Sequence, residues 1–214
     1  MKKGIFITFE GIEGSGKSTQ ISRLSGFLED SGIEYTRTVE PGGTLIGDEI
    51  RKILLSVEHN GMTSLTELLL YAASRAQHVG EVIKPALDRG RVVVCDRFTD
   101  STMAYQGYGR GIDRELISLL NAICTGKTFP DLTILLDLDV ETGLSRNRSA
   151  EKIDRLELEA ADFHRRVREG YHAIEKAEPG RVRTVDASGG IEAVSEKIRQ
   201  VFLDFLRENN YVAQ

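Results

Sequence analysis

The stretch Gly11-Ile12-Glu13-Gly14-Ser15-Gly16-Lys17-Ser18 has the composition and spacing of a loop that grips a polyphosphate. Its glycines let successive backbone N–H groups turn inward around phosphate oxygens. Lys17 follows at the distance needed to reach the outer phosphates, and the Ser18 hydroxyl can ligate Mg²⁺. A helix beginning near Lys17 adds the positive end of its dipole. An ordinary glycine turn is the plain alternative. The apolar strand before the loop and the helical pattern after it favour phosphate binding.

A metal-bound polyphosphate also calls for a carboxylate beyond the loop. Asp96 ends the apolar run Val92-Val93-Val94-Cys95 and is placed as that second Mg²⁺ ligand. Asp137 ends another apolar run and competes for the role. Asp96 is preferred because Arg97 follows it and sets a cation beside the metal ligand.

These groups need elements to position them. Ile5-Phe6-Ile7-Thr8-Phe9 is β-branched and aromatic and reads as a strand feeding the loop. Ile21, Leu24, Phe27 and Leu28 recur at helical spacing, and Gly32 ends that helix. Tyr35 to Val39 reads as a second strand, broken by Pro41-Gly42-Gly43. Ile46, Ile50, Ile53 and Leu54 mark the next helix. Ser64-Leu65-Thr66-Glu67 has the capping-box pattern and opens a helix towards Leu87, with Pro85 kinking or shortening its end. Val92–Cys95, Leu132–Leu138 and Val182–Val185 are short apolar runs of the kind buried on both faces of a parallel sheet. Leu156, Ala160, Phe163, Val167, Tyr171 and Ile174 predict one helix from Leu156 to Ile174, stopped by Pro179-Gly180. Val194, Ile198, Val201, Phe202 and Phe205 line the last helix. The alternation predicts an α/β protein of the P-loop NTPase type, a five-stranded parallel sheet with helices on both faces. No repeat or low-complexity linker divides residues 1–214, so one domain is expected.

Composition narrows the function classes. Of 214 residues, 28 are Lys or Arg and 33 Asp or Glu, a net charge of −5, which argues against binding to a nucleic-acid polymer. Cys95 and Cys124 are too few for a disulfide framework, and the four histidines show no short ligand spacing. Free thiols suit a reducing, cytoplasmic setting. The apolar run after Met1-Lys2-Lys3 is too short for a secretion signal, and no run of about 18 apolar residues exists to span a membrane.

A phosphate loop serves phosphotransferases, GTPase switches, larger ATPases and non-catalytic binders. A guanine-reading Asn-Lys-x-Asp motif is absent, and Asp186-Ala187-Ser188-Gly189 imitates a switch motif in the wrong place, after the last strand. A coupling ATPase needs more chain. Retention of Lys17, Ser18 and Asp96 argues against a non-catalytic binder. A small kinase acting on nucleotides fits best.

The ordered motifs complete the picture. Phe9-Glu10-Gly11 through Ser18-Thr19, Glu40-Pro41-Gly42-Gly43-Thr44, Tyr71-Ala72-Ala73-Ser74-Arg75-Ala76-Gln77-His78, Asp96-Arg97-Phe98, Ser101 to Arg110 and Asp154-Arg155-Leu156-Glu157 together resemble the thymidylate kinases over nearly the whole chain. The resemblance implies transfer of the γ-phosphoryl group of ATP to dTMP in a cytoplasmic homodimer, with Mg²⁺. The alternative is another nucleoside monophosphate kinase, for AMP or another deoxypyrimidine nucleotide.

The resemblance also assigns residues. Gly11 to Thr19 hold ATP. Tyr71 and Arg75, four apart on one helix face, would stack the base and bond its carbonyl; a core tyrosine with a surface arginine has the same spacing. Arg51 and Arg97 bind the acceptor phosphate, and Glu40-Pro41 shapes the pocket wall. The Glu40–Pro41 bond is left open between cis and trans. Ser101 and Gln106 hold the base, Tyr105 crowds the sugar's 2′ position, and Glu13 approaches its 3′-hydroxyl. The basic stretch Arg146-Asn147-Arg148-Ser149-Ala150-Glu151-Lys152 resembles a lid over ATP, spanning about 143–155. Some thymidylate kinases carry a catalytic arginine where this chain has Gly14, so here it is expected from the lid. Arg148 is favoured over Arg146, while Ala150 stands where related lids often carry another arginine.

Overall fold

The computed structural model describes residues 4–147 and 155–211. Among them the chain runs β1 (Ile5–Glu10), α1 (Lys17–Asp30), β2 (Tyr35–Val39), α2 (Leu45–Leu55), α3 (Ser64–His78), α4 (Lys84–Asp88), β3 (Val92–Asp96), α5 (Thr99–Thr102), α6 (Arg114–Thr125), β4 (Leu132–Asp137), α7 (Val140–Asn147), α8 (Ala161–Ala177), β5 (Val182–Asp186) and α9 (Ile191–Glu208). No described helix is long and apolar enough to cross a membrane.

β1 is buried at every position. Successive strand side chains point to opposite faces, so burial of all of them demands a layer on each side. Ile5, Ile7 and Phe9 join Ile21 and Leu24 of α1 and Ile198 and Phe202 of α9 in one core. Phe6 packs on the other face with Val93, Phe98, Val79 and Ile83. A third cluster, including Tyr105, Phe163, Val167 and Tyr171, extends that face towards α8. The expected five-stranded sheet is present and wholly parallel, in the order β2-β3-β1-β4-β5.

Register brings the strand ends together. Phe9 on β1 and Val39 on β2 both pair with Asp96 on β3. The phosphate loop, Glu40 and Arg97 therefore leave the sheet side by side at its carboxyl edge, where ligands of open α/β sheets bind.

Several predicted elements differ in detail. The α3 cap is Thr63, whose side chain accepts from the Thr66 N–H, so Ser64 and Glu67 do not form the expected capping box. Glu67 turns inward and is 1 % exposed. The helix towards Leu87 is interrupted by a π turn, Val79–Ile83, before α4 carries Pro85 in its first turn. Proline has no N–H and crowds the preceding turn, and widening that turn accommodates it. The helix expected from Leu156 starts at Ala161. Arg155 accounts for the delay: its N–H donates to the Leu55 carbonyl and its Nε to that of Leu54. Residues Met103–Gly109 form a π helix following directly on α5. A Cβ at Gly109 would lie 2.6 Å from the Phe163 ring, so glycine lets this segment lie against α8. α6 was not anticipated. Glu40–Pro41 is cis.

Candidate functional site

A cleft of about 470 Å³ opens at the carboxyl edge of the sheet. At one end lies the phosphate loop. Gly14, Gly16, Lys17, Ser18 and Thr19 line it, while Gly11, Ile12 and Ser15 are buried beneath. Gly16 is the N-cap of α1 and no side chain caps that helix, which leaves its first N–H groups for an anion. Lys17 Nζ donates to the carbonyls of Gly11 (3.0 Å) and Ile12 (2.8 Å). Burial, reinforced by the charge of Arg97, lowers its pKa to about 8, against the pull of Asp96, Glu13 and Glu10. Gly14 has a φ of 73°, and a Cβ there would collide with the carbonyl of Gly143. An arginine at this position would require α7 to move.

Ser18 Oγ donates to Asp96 Oδ2 at 3.2 Å, which sets two hard oxygen atoms of the type that suits a divalent cation side by side. Asp137 is engaged elsewhere: Arg168 donates to it twice, at 2.7 and 2.8 Å, and His172 lies 3.2 Å away.

Arg97 is held in the left-handed region, at φ 68°, with its N–H on the Phe9 carbonyl at 3.0 Å. Such a backbone persists only where its surroundings enforce it. The guanidinium donates to Glu13 Oε1 (2.9 Å), Ser101 Oγ and Tyr171 Oη (both 3.2 Å), and lies over the Tyr105 ring. Tyr105 Oη also donates to Glu13 Oε1, at 2.6 Å. Burial alone would raise the Glu13 pKa, but Arg97, His164, Lys17 and Tyr105 hold it well below the usual carboxylate range. Beneath them Glu10 accepts from the Phe98 N–H (2.7 Å), Ser101 Oγ (2.5 Å) and Tyr171 Oη (2.8 Å). Burial and the nearby charge of Asp100 raise the Glu10 pKa to about 7 despite those donors and Arg97.

The far end of the cleft is lined by Glu40, Arg51, Tyr71, Arg75, Ser101, Tyr105 and Gln106, all singled out by the sequence. Arg51 donates to the Pro41 carbonyl at 2.7 Å. Arg75 is not a surface arginine but 2 % exposed. It donates to Glu40 Oε2 (2.8 Å), Thr102 Oγ1 (2.8 Å), Asn121 Oδ1 (2.9 Å) and the Phe98 carbonyl (2.9 Å). Its fifth N–H, on Nη2, has no partner among the described residues. Glu40 also bonds His78 Nδ1 at 2.9 Å, so its carboxylate holds other side chains rather than facing the cleft alone.

Arg146 lines the cleft and donates to the Ala187 carbonyl at 3.3 Å. Arg148 and the lid residues 148–154 lie outside the described residues. Reasoning from sequence missed Glu10, Tyr171 and His164, which support Arg97 and Glu13. Tyr171 and His164 sit on a helix whose pattern reads as core. Glu10 carried a signal, a carboxylate directly after an apolar strand.

The family model described as "Thymidylate kinase" matches residues 9–198. The thymidylate kinase of Pelobacter propionicus is 55 % identical over 201 residues, covering 91 % of this chain and 92 % of its own. That of Geobacter sulfurreducens is 51 % identical over 207 residues, covering 94 % and 97 %. The crystal structure of thymidylate kinase from Ehrlichia chaffeensis superposes with a TM-score of 0.77 at 38 % identity, covering 94 % of this chain and 99 % of that one.

Proposed function

The chain belongs to the thymidylate kinase family, and on that premise we propose that it transfers the γ-phosphoryl group of ATP to dTMP, yielding dTDP and ADP. The observation that carries the reading is one cleft with a phosphate loop at one end and Tyr71, Arg75 and Gln106 at the other. The relatives favour dTMP over the AMP alternative.

The division of labour follows from chemistry. A phosphate oxygen of dTMP is already anionic, so attack on the γ-phosphorus needs no strong base. Catalysis is positioning plus neutralisation of spread negative charge. Lys17 leaves its loop carbonyls for the phosphates of ATP, which Gly11 to Thr19 enclose. Arg97 and Arg51 hold the acceptor phosphate, and Arg97 stays charged beside the reacting group. Tyr71 stacks the base, Arg75 and Gln106 bond its edge, and Ser101 and Tyr105 complete the wall with Glu13 near the sugar. Ser18 and Asp96 would hold Mg²⁺, which when bound offsets charge on the ATP phosphates. Arg148 is the lid cation in this reading, within a single domain of residues 1–214 whose lid spans about 143–155.

A homodimer is the favoured assembly. Ile46 and Ile53 of α2, Leu65 and Leu69 of α3, and Leu119 and Ile123 of α6 are all exposed. α3 packs against both α2 and α6, so the three apolar stripes are neighbours. The unpaired cysteines suit a cytoplasmic location.

A coupled assay with ATP, Mg²⁺ and a panel of nucleoside monophosphates tests the reading. We expect dTMP to exceed dUMP modestly, since one methyl group in an apolar pocket contributes about 1–3 kcal/mol. AMP should be far worse, because a purine meets the pocket wall. Comparable kcat/KM for AMP and dTMP would overturn the assignment.

A further inference from the structure

Glu67 is the most completely engaged carboxylate that the mechanism leaves unused. It lies on α3, 1 % exposed, and does not line the cleft. Its Oε1 accepts from Gln106 Nε2 at 2.8 Å and from Arg110 Nε at 3.2 Å. Its Oε2 accepts from Arg110 Nη2 at 3.2 Å and lies 2.5 Å from Arg155 Nη2. Burial alone would raise its pKa, but Arg110, Gln106 and Arg155 hold it below the usual carboxylate range.

An ionised carboxylate accepts hydrogen bonds and donates none. The amide of Gln106 can therefore meet Glu67 in one orientation only, with its NH₂ towards the carboxylate. The amide oxygen is then the end turned away from Glu67, on a side chain that lines the cleft. Arg75, held by Glu40, offers the opposite polarity with its spare N–H. An acceptor beside a donor matches the thymine edge, where a ring N–H adjoins a carbonyl. It mismatches cytosine, whose ring nitrogen is an acceptor and adjoins an amino group.

We propose that Glu67 is a specificity-determining positioning residue, which fixes the Gln106 amide so that the pocket presents an acceptor to the base and rejects cytosine. The inference rests on the dTMP kinase reading and adds a residue that never touches the substrate. Substitution of Glu67 by glutamine keeps the shape and supplies a group that can donate as well as accept. The Gln106 amide is then free to turn over and donate to the cytosine ring nitrogen.

The test compares kcat/KM for dTMP and dCMP in the parent, Glu67→Gln, Gln106→Met, the double variant and Arg110→Met. Turnover of dTMP by the parent comes first; its absence would defeat the kinase reading and not this inference alone. Glu67→Gln is expected to lower the dTMP-to-dCMP ratio at least about tenfold, the scale of one misdirected hydrogen bond. It should raise KM for dTMP while kcat at saturation stays within about twofold. Gln106→Met should lose the same discrimination, with no further loss in the double variant. Arg110→Met also removes bonds to Glu67 but leaves the amide anchored, and should keep the parental ratio. Should Glu67→Gln not fold, Glu67→Asp carries the test: the charge stays but retracts by one methylene, so KM for dTMP should rise about threefold or more with kcat retained. The proposal is overturned by a folded Glu67→Gln with the parental ratio, by Arg110→Met losing discrimination equally, or by Glu67→Asp with unchanged KM where it is the variant that folds.

Discussion

The ammonium of Lys17 lies 2.8 Å from the carbonyl oxygen of Ile12, folded back onto the loop it follows. In the proposed reaction it exchanges these carbonyl partners for phosphate oxygens when ATP binds. The exchange is favourable because a charged acceptor binds an ammonium more strongly than a neutral carbonyl.

Removing that charge should therefore cost turnover. Lys17→Ala is expected to lower kcat by about 10²–10³, the usual scale for one electrostatic contact to a transition state. Steady-state phosphorylation of dTMP, with circular dichroism confirming the fold, checks it. Near-normal turnover would remove Lys17 from the mechanism.

Glu10 makes stability depend on pH in an unusual direction. Its pKa is raised from the ordinary 4.5 to about 7 by burial and by Asp100. The folded protein thus binds more protons than the unfolded chain between these values. Stability is full below about 4.5 and falls as pH rises through 7. Glu13 and Glu67 shift the other way, so their losses appear only as pH falls into the acid range. Between pH 5 and 8 the Tm should drop, and Glu10→Gln should flatten that slope; roughly 2–4 °C corresponds to 1 kcal/mol at this size. An unchanged slope in Glu10→Gln would mean that Glu10 stays ionised throughout.

Local pattern reveals those parts of the fold that local physics decides. The apolar runs of β1, β3 and β4 announce strands buried on both faces, and the glycine-lysine-serine spacing announces the loop before α1. Features set by distant partners were not legible. Glu67 sits three residues after Ser64 and reads as a capping residue, yet Arg110, Arg155 and Gln106, far along the chain, draw it inward. Leu156 continues the helical spacing of α8, but Arg155 anchors the turn to the end of α2. Arg75 looks like a surface arginine until Glu40, Thr102 and Asn121 converge on it. Tyr171 reads as core and is core, while its hydroxyl also serves Arg97.

The apolar stripes of α2, α3 and α6 predict assembly. Leu119 is 59 % and Ile123 67 % exposed. A charge at these positions adds little strain to one chain but cannot be buried against a second copy without a partner. Sedimentation velocity should show a dimer for the parent and a monomer of native helicity for Leu119→Glu/Ile123→Glu. A parent that sediments as a monomer, or a variant that remains dimeric, would place the contact elsewhere.

The last prediction concerns the cation that Gly14 cannot provide. A side chain there meets the carbonyl of Gly143 in a left-handed backbone, so in the proposed reaction the arginine is expected from the lid. Arg146 lines the cleft with its guanidinium on the Ala187 carbonyl, whereas Arg148 lies outside the described residues, closer to the expected lid tip. Being two apart in sequence, the two would point in clearly different directions on any helix, so they are not expected to serve equally. We expect Arg148→Ala to lower kcat strongly with little change in dTMP affinity, the signature of a contact made mainly in the transition state. Arg146→Ala should act chiefly on KM for ATP, since its side chain is already held at the cleft wall before any phosphate moves. Steady-state kinetics on the two variants side by side decides between them. A crippled kcat in Arg146→Ala with Arg148→Ala intact would exchange their roles, and two near-normal variants would leave the stretch a solvated basic surface.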